Sequence, residues 1–239
     1  MKHLHYDDLD IVGFGGLREN ILVMDSRVFG HRRSDDAWQG RGPLTYLAHA
    51  FFRPGGSTGR HSHSDVTIVS VITRGRIRHE GDAGWEGDLH AGQVMIQRSG
   101  SRGFSHNEIN PDPEAAGMVQ LWCLPDQYLI SHDQADRKAT TTVVDVQLGN
   151  NPLLQQDGYQ LSIDVLAPFS TLSLAPGSLA YIYEGALWSD ALGKLSRGSL
   201  IDVDHTGTAN NTDATLTSRE EIVRVIILQP CANSSDLSV

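Results

Sequence analysis

Apolar residues along this chain fall into short runs of four to eight residues, several with alternating polar positions. Runs of that length predict β-strands, because a helix needs a longer stretch with a period of about 3.6 residues. The predicted strands are Thr45–Phe52, Val66–Thr73, Arg76–Glu80, Val94–Gln97, Phe104–Glu108, Met118–Leu124, Thr142–Val146, Leu161–Val165, Thr171–Leu174, Leu179–Tyr183, Ser199–Val203 and Ile222–Leu228. Glycine-rich turns separate many of them, so the pattern predicts an all-β fold with few short helices.

The composition agrees with that fold and argues against a nucleic-acid partner. The 239 residues include 24 glycines and 9 prolines, and 39% of them are hydrophobic, which is typical of a globular protein with many turns. Asp and Glu (29) outnumber Lys and Arg (19), giving a net charge of −10. Nucleic-acid binding needs clustered basic residues, and Arg32-Arg33 is too short a cluster. We therefore expect no nucleic-acid partner.

Cysteines and hydropathy favour a cytoplasmic location. Cys123 and Cys231 are too few for a disulfide framework, which indicates a reducing compartment. No apolar run approaches the length of a membrane span, and the segment Met1–Asp8 lacks the apolar stretch of a signal peptide. We expect a cytoplasmic protein with no membrane partner.

The two halves of the chain form a weak internal repeat. Ser70–Gly75 is similar to Ala180–Gly185, and His90–Ile96 is similar to Ser196–Asp202. Each copy has an apolar strand, a tight glycine turn, a polar hairpin and a second apolar strand. Two tandem β-barrels explain this order. We predict an N-terminal metal-binding barrel over residues 1–130 and a degenerate C-terminal barrel over residues 131–239.

Two short motifs carry candidate metal ligands. One residue separates His61 from His63, and one residue separates His106 from Glu108. Alternate side chains of a β-strand share a face, so each pair points in one direction. Three imidazoles and a carboxylate suit Fe(II), Mn(II), Ni(II), Cu(II) or Zn(II), and ligand identity does not select among them. The motifs together predict a site for one divalent transition metal.

The second copy of the repeat lacks these ligands. When the copies are aligned on the glycines of their turns, the histidine positions fall on Thr171, Ser173 and Thr212. We therefore expect a single metal site, in the N-terminal half.

The same stretches of sequence resemble the pirin family of the cupin superfamily. The resemblance runs through Gly59–His63, Val69–Gly75, Ala91–Gln93, Gly100–Pro111 and Val119–Pro125. It covers roughly the first half of the chain, and in the second half only length and β-rich character agree. The two motifs at this separation are fairly specific, whereas either alone is weak.

The resemblance implies a bicupin, with two tandem cupin barrels of the double-stranded β-helix type. It implies one metal, usually iron, held by His61, His63, His106 and Glu108. The chain departs from the family at Thr67, where a glutamate is usual. That change leaves Glu108 as the expected carboxylate ligand. If the strand alternation continues beyond His63, Asp65 and Thr67 lie on the metal side, and Asp65 partly replaces the missing glutamate.

The resemblance also implies an activity. Some pirin-like proteins are quercetinases, so the first expectation is a metal-dependent dioxygenase that acts on a small chelating substrate, such as a flavonol, and O2. Glu108 is then both a ligand and a general base. The alternative is a non-enzymatic metal- or redox-sensing protein that binds a protein partner.

Two further classes fit the motifs less well. His61-x-His63-x-Asp65 begins like the metallo-β-lactamase signature, but Val66 stands where that signature needs a histidine. An isomerase of phosphorylated sugars needs basic pocket residues, for which Arg53, Arg60 and Arg102 are the candidates. None of these arginines lies in a recognisable phosphate motif.

The remaining histidines are expected to be structural or exposed. His49 lies in an apolar run and is expected to be a hydrogen-bonded barrel residue. His79, His90 and His205 fall in or near turns, which favours solvated side chains.

Overall fold

The chain folds almost entirely into β-strands. The computed structural model describes residues 1–125, 138–203 and 213–231. These contain one short α-helix, Ser26–Phe29, and two 3₁₀ turns, Tyr6–Asp8 and Gly30–Arg32. The predicted all-β class is confirmed. No helix in the described part is long and apolar enough to cross a membrane.

Contacts divide the chain into two compact units. One is His5–Val146, and the other combines Gln147–Val239 with Met1–Leu4. The boundary that we predicted at residue 130 lies outside the described residues, as do His205, Thr212 and the last eight residues.

The described residues of the N-terminal unit form ten strands in two sheets. They are β2 (Leu17–Met24), β3 (Leu44–Phe52), β4 (His61–His63), β5 (Thr67–Arg74), β6 (Arg76–Gly81), β7 (Gly87–His90), β8 (Gln93–Arg98), β9 (Phe104–Ile109), β10 (Ala116–Cys123) and β11 (Thr140–Asp145). The six-stranded sheet has the order β11-β8-β5-β10-β3-β2, and the four-stranded sheet has the order β4-β9-β6-β7.

Ten strands also lie in the part of the C-terminal unit that the structure describes. They are β1 (Lys2–His5), β12 (Gly149–Gln156), β13 (Tyr159–Leu166), β14 (Thr171–Leu174), β15 (Leu179–Glu184), β16 (Ala186–Ser189), β17 (Gly193–Ser196), β18 (Ser199–Asp202), β19 (Ala214–Ser218) and β20 (Val223–Pro230). Their sheets run β1-β18-β15-β20-β13-β12 and β14-β19-β16-β17.

The two units repeat one topology. Adding ten to each label from β2 to β10 converts the sheet orders of the first unit into those of the second. The remaining position is an edge strand, filled by β11 in the first unit and by β1 in the second. The weak sequence repeat therefore reflects two copies of one cupin-type barrel, and the bicupin prediction is confirmed.

Buried aliphatic and aromatic side chains fill each unit between its sheets. In the N-terminal unit Phe52, Ile77, Leu89 and Met95 belong to one buried cluster that draws on both sheets. Leu187 and Ile201 belong to the corresponding cluster of the C-terminal unit. Alternation on strands explains this packing, since every second side chain of a strand faces the opposite sheet.

All twelve strand predictions coincide with observed strands, with ends that differ by a few residues. Several strands were not predicted, among them β2 and β12. β12 contains Pro152, which lacks a backbone N–H and lies on an edge strand, where proline is tolerated.

Candidate metal centre

The three histidines meet where β4 pairs with β9. In this antiparallel pair His61 lies opposite His106, and His63 lies opposite Phe104. Directly opposed residues project from the same face of a sheet, and His63 shares the face of His61. The two motifs therefore deliver three imidazoles to one place, as the spacing predicted.

The imidazole nitrogens of this histidine triad almost touch. His106 Nε2 lies 3.0 Å from His61 Nε2 and 3.1 Å from His63 Nε2. One ligand atom from each residue lies within 4.8 Å of the others. At these distances either a hydrogen-bonding proton or a cation must lie between the nitrogens.

Hydrogen bonds on the far sides of two rings determine which nitrogen is free. His61 Nδ1 lies 2.8 Å from the Gly59 carbonyl oxygen, and His106 Nδ1 lies 3.0 Å from Gln97 Oε1. Both partners are acceptors, so Nδ1 carries the proton in each ring and Nε2 has a lone pair. Lone pairs that face each other at 3 Å repel unless a cation lies among them. The residues therefore fit a divalent metal.

Burial keeps two of the rings neutral. Burial and then the neighbouring His61 lower the pKa of His63 to about 4. Burial, followed by the charges of His61 and His63, lowers the pKa of His106 to about 2. Neutral imidazoles retain the lone pairs that metal coordination requires.

Glu108 is buried beside the triad. It is 2% exposed, Gln120 Nε2 donates to its two oxygens at 3.3 and 3.4 Å, and Ser70 Oγ donates at 3.5 Å. Burial raises the pKa of Glu108 to about 7, against the opposing effect of these hydrogen bonds. The tight group of ligand atoms contains the histidines without Glu108, although Glu108 lines the same cavity as His61 and His63. Its role as a fourth ligand stays a prediction.

The expectation for Asp65 and Thr67 is wrong. β4 ends at His63, and Asp65 has a left-handed backbone (φ 53°) and an exposed side chain. The chain turns there, so the alternation of β4 does not extend to Thr67. Thr67 instead begins β5 in the other sheet, where it is paired with Arg98. Asp65 is not part of the group of ligand atoms, and Thr67 does not line the cavity beside it.

The expectation that His79 is solvated is also wrong. Its side chain is buried, and Gln97 Nε2 lies 3.1 Å from His79 Nε2. Gln97 thus accepts a hydrogen bond from His106 and donates one to His79. His79 lies on β6 next to β9, which brings its ring centroid to 5.4 Å from that of His106. His49 is buried as expected, on the opposite face of β3 from the cavity.

An apolar cavity of about 260 Å³ opens beside His61 and His63. Its apolar lining includes Phe14, Leu17, Met24, Phe29, Met118 and Trp122. The Tyr46 and Trp122 rings lie 4.7 Å apart and the Phe29 ring stacks on Trp122 at 6.1 Å, which gives the cavity an aromatic wall. An apolar pocket with a few convergent polar groups is the usual form of a small-molecule site.

Sequence reasoning missed a second acidic group in this cavity. Glu19 lines it from β2, and the Tyr46 hydroxyl donates to Glu19 Oε2 at 2.8 Å. The alternation Leu17-x-Glu19-x-Ile21 was the available signal for a strand with one polar inward position. Nothing in that pattern shows that the inward position faces the same cavity as the histidines.

Fold and site together define a bicupin with one candidate metal centre among the described residues. Residues 41–123 match the family model for Pirin, and this range contains both ligand motifs. This stretch of the chain is therefore similar to the pirin family, and the predicted resemblance is confirmed.

Curated relatives are similar in sequence to this chain over part of their length. A protein of Mycobacterium tuberculosis, provisionally named quercetin 2,3-dioxygenase, is 29% identical over 173 residues, which are 65% of this chain and 70% of the relative. A pirin-like protein of Caulobacter vibrioides is 35% identical over 68 residues. That alignment spans 28% of this chain and 29% of the relative.

Solved structures resemble the whole chain. A bacterial pirin from Escherichia coli in complex with nickel(II) has a TM-score of 0.74 and 15% identity, covering 97% of this chain and 99% of its own. A quercetin 2,3-dioxygenase from Acinetobacter baumannii has a TM-score of 0.63 and 16% identity, covering 96% of this chain and 86% of its own. At such identities the likeness shows the fold alone.

Proposed function

We propose that this protein is a metal-dependent dioxygenase of the quercetin 2,3-dioxygenase type, acting on a flavonol or a similar chelating substrate with O2. The observation that carries the proposal is the convergence of three imidazole nitrogens. Nε2 of His61 and Nε2 of His63 lie 3.0 and 3.1 Å from Nε2 of His106, and the rings of His61 and His63 line an apolar cavity. These three histidines would hold a metal next to the cavity that His61 and His63 line.

Fe(II) is the metal that we propose, because the resemblance to pirins implies iron. The donor set also suits Mn(II), Ni(II), Cu(II) and Zn(II). The similar pirin from Escherichia coli is described in complex with nickel(II). When bound, such a metal supplies coordination positions that bring a substrate oxygen and O2 together.

Glu108 and Gln120 are the groups that handle the substrate hydroxyl in this proposal. A chelating substrate must lose a hydroxyl proton, and the Glu108 carboxylate is the acceptor within the cavity. Gln120 donates to both Glu108 oxygens and so fixes the plane of the carboxylate. A fixed acceptor loses little orientational freedom when the substrate binds.

The aromatic wall positions a flat ring. The stacked rings of Trp122 and Phe29 both line the cavity, and Met118 adds a polarisable thioether. Apolar walls also displace water from the reacting groups, which strengthens the electrostatic interactions inside. A planar polyphenol is the class of substrate that these walls favour.

The first test is metal analysis of protein purified without a tag, before and after anaerobic reconstitution with Fe(II). O2 uptake with quercetin follows. We expect about one metal per chain and O2 uptake that depends on it. His63→Ala should lose both, whereas His90→Ala, which changes an exposed histidine on β7, should keep both. Protein that takes up no metal after reconstitution would refute the proposal.

A further inference from the structure

Glu19 is a carboxylate in an apolar cavity that the reaction outlined above does not use. It lines the cavity from β2 and is only partly exposed. No basic side chain in the described part of the chain acts on its pKa, and its side-chain hydrogen bond comes from Tyr46. An ionisable group placed in apolar surroundings destabilises the fold unless a partner offsets its burial.

The position of Glu19 separates it from Glu108. In the six-stranded sheet Glu19 pairs with Ala50, and Ala50 pairs with Met118 on β10. Two strand spacings, about 10 Å, therefore lie between the Glu19 backbone and β10. Glu108 is bonded to Gln120 on β10. The cavity thus receives Glu108 and Glu19 from separate strands, and besides burial the charge of Glu19 still contributes to raising the pKa of Glu108.

Tyr46 orients the second carboxylate and leaves part of it free. A carboxylate accepts about four hydrogen bonds, and the Tyr46 hydroxyl provides one, to Oε2 at 2.8 Å. Tyr46 is 6% exposed and its ring packs against Trp122, which fixes the direction of its hydroxyl. The remaining acceptor positions of Glu19 are available to a ligand in the cavity.

We propose that Glu19, oriented by Tyr46, is a specificity-determining residue. It accepts a hydrogen bond from a hydroxyl at the end of the substrate remote from the chelating edge. It also excludes chelators that carry a carboxylate at that end. The inference rests on the proposed metal-dependent function and adds a second point of recognition to it.

Both halves of this selectivity follow from elementary energetics. A ligand without the remote hydroxyl leaves the acceptor positions that Tyr46 does not fill without a donor, and a site built for a hydroxyl discriminates strongly against such analogues. A ligand carboxylate meets a like charge at short range in a medium of low dielectric constant. We expect each effect to change the dissociation constant by roughly tenfold or more.

The test measures binding rather than turnover. Metal-reconstituted protein is titrated without O2, and dissociation constants are read from the absorption of the bound chelator. The probes are 3-hydroxyflavone and its derivatives with a single hydroxyl or a single carboxylate at C4′ or C7. These two positions cover both orientations of the flat ring system.

For the wild type we expect one hydroxyl derivative to bind roughly tenfold more tightly than the parent, and the carboxylate at the same position to bind more weakly. Glu19→Leu should abolish the hydroxyl preference. Glu19→Gln, which still accepts from Tyr46, should relieve the exclusion of the carboxylate. Glu114→Gln changes an exposed glutamate and should preserve both ratios.

Unchanged ratios in both Glu19 variants, with metal loading and circular dichroism equal to the wild type, overturn this proposal alone. Protein that takes up no metal refutes the proposed function and this inference with it. Protein that binds metal and chelators without consuming O2 refutes the dioxygenase, while the ratios still decide the role of Glu19.

Discussion

Gln97 Oε1 lies 3.0 Å from Nδ1 of His106, and this contact determines which nitrogen of the ring faces the other histidines. The same amide donates to His79 Nε2 at 3.1 Å, so its orientation is fixed from both ends. A buried strand residue thus controls the tautomer of a candidate ligand without contributing a donor atom to the site.

Removing that contact should weaken metal binding. Gln97→Ala frees the His106 ring and its tautomer, and loss of such a partner lowers metal affinity by roughly 10- to 100-fold. Gln97→Glu keeps an acceptor for Nδ1 and should retain most of the affinity. Gln93→Ala, on the same strand with its side chain bonded to Asp145, is the control. Metal titration with a competing chelator gives the values, and an unchanged affinity for Gln97→Ala would contradict the prediction.

The Glu108→Gln variant tests the role of Glu108 as a general base separately from its role as a metal ligand. The amide keeps the shape of the side chain and its contact with Gln120, but it cannot accept the substrate proton. We expect O2 uptake with quercetin to fall by about 10²- to 10⁴-fold. Metal content is measured on the same samples, with Glu114→Gln as the control. A variant with full metal content and full turnover would show that Glu108 is not the base.

Gly103 supports the position of His63. Its φ is +74°, and a Cβ at this residue would lie 2.5 Å from the His63 carbonyl oxygen. Gly103→Ala should therefore destabilise the fold by about 3 kcal/mol and weaken metal binding, because β4 must move. Gly92→Ala has a similar φ of +90° with open space around it, and should cost about 1 kcal/mol without affecting the metal. Urea unfolding and metal titration of the two variants distinguish the effect of the contact with His63, present only at residue 103, from that of a positive φ, present at both residues.

Phe14 covers part of the cavity while remaining 50% exposed. Its ring meets His61 edge-on, with 6.4 Å between centroids. Phe14→Ala should change stability by less than about 0.5 kcal/mol, because little apolar area is buried there. It should raise KM for a flavonol severalfold through lost contact. Ile11→Ala, at a 69% exposed residue that does not line the cavity, is the control. Equal KM values for the two variants would show that Phe14 does not contact substrate.

The stability of Glu19→Gln relative to the wild type should depend on pH. Burial raises the pKa of Glu19, and the Tyr46 hydrogen bond opposes the shift only in part. A folded pKa above the unfolded value stabilises the protein below the unfolded pKa, and that contribution is lost as pH rises through the folded value. The variant should match the wild type near pH 4 and exceed it near pH 8 by on the order of 1 kcal/mol.

Urea unfolding at the two pH values measures that difference. Glu114→Gln, at an exposed position, should show no difference between them. A Glu19→Gln variant that is less stable than the wild type at high pH would contradict a destabilising charge at this position.

The histidine triad could be predicted from local sequence patterns. His61, His63 and His106 could be predicted together because alternation on a strand is a property of adjacent residues, and the two motifs lie on neighbouring strands. The same rule failed at Asp65, where the chain leaves β4 in a left-handed turn. Alternation holds only while the strand lasts, and nothing in the sequence marked His63 as its end.

The residues around the triad depend on contacts distant in sequence. Gln97 and His79 meet His106 because β8 belongs to one sheet and β6 and β9 to the other. Glu19 meets the cavity through β2, a strand that hydropathy alone did not predict. The residues next to each of these side chains in sequence do not indicate that it lies near the site. Its partner comes from the packing of the two sheets.

The edge position that β1 fills in the C-terminal unit affects the order in which the two units can fold during synthesis. β1 leaves the ribosome before β2–β20, yet its partner in the sheet is β18, at Ser199–Asp202. At roughly 5–20 residues per second, synthesis separates the two by on the order of 10–40 s. Strands β2–β11 are complete long before then. The barrel that contains the histidines can therefore fold before the partner strand of β1 has been made.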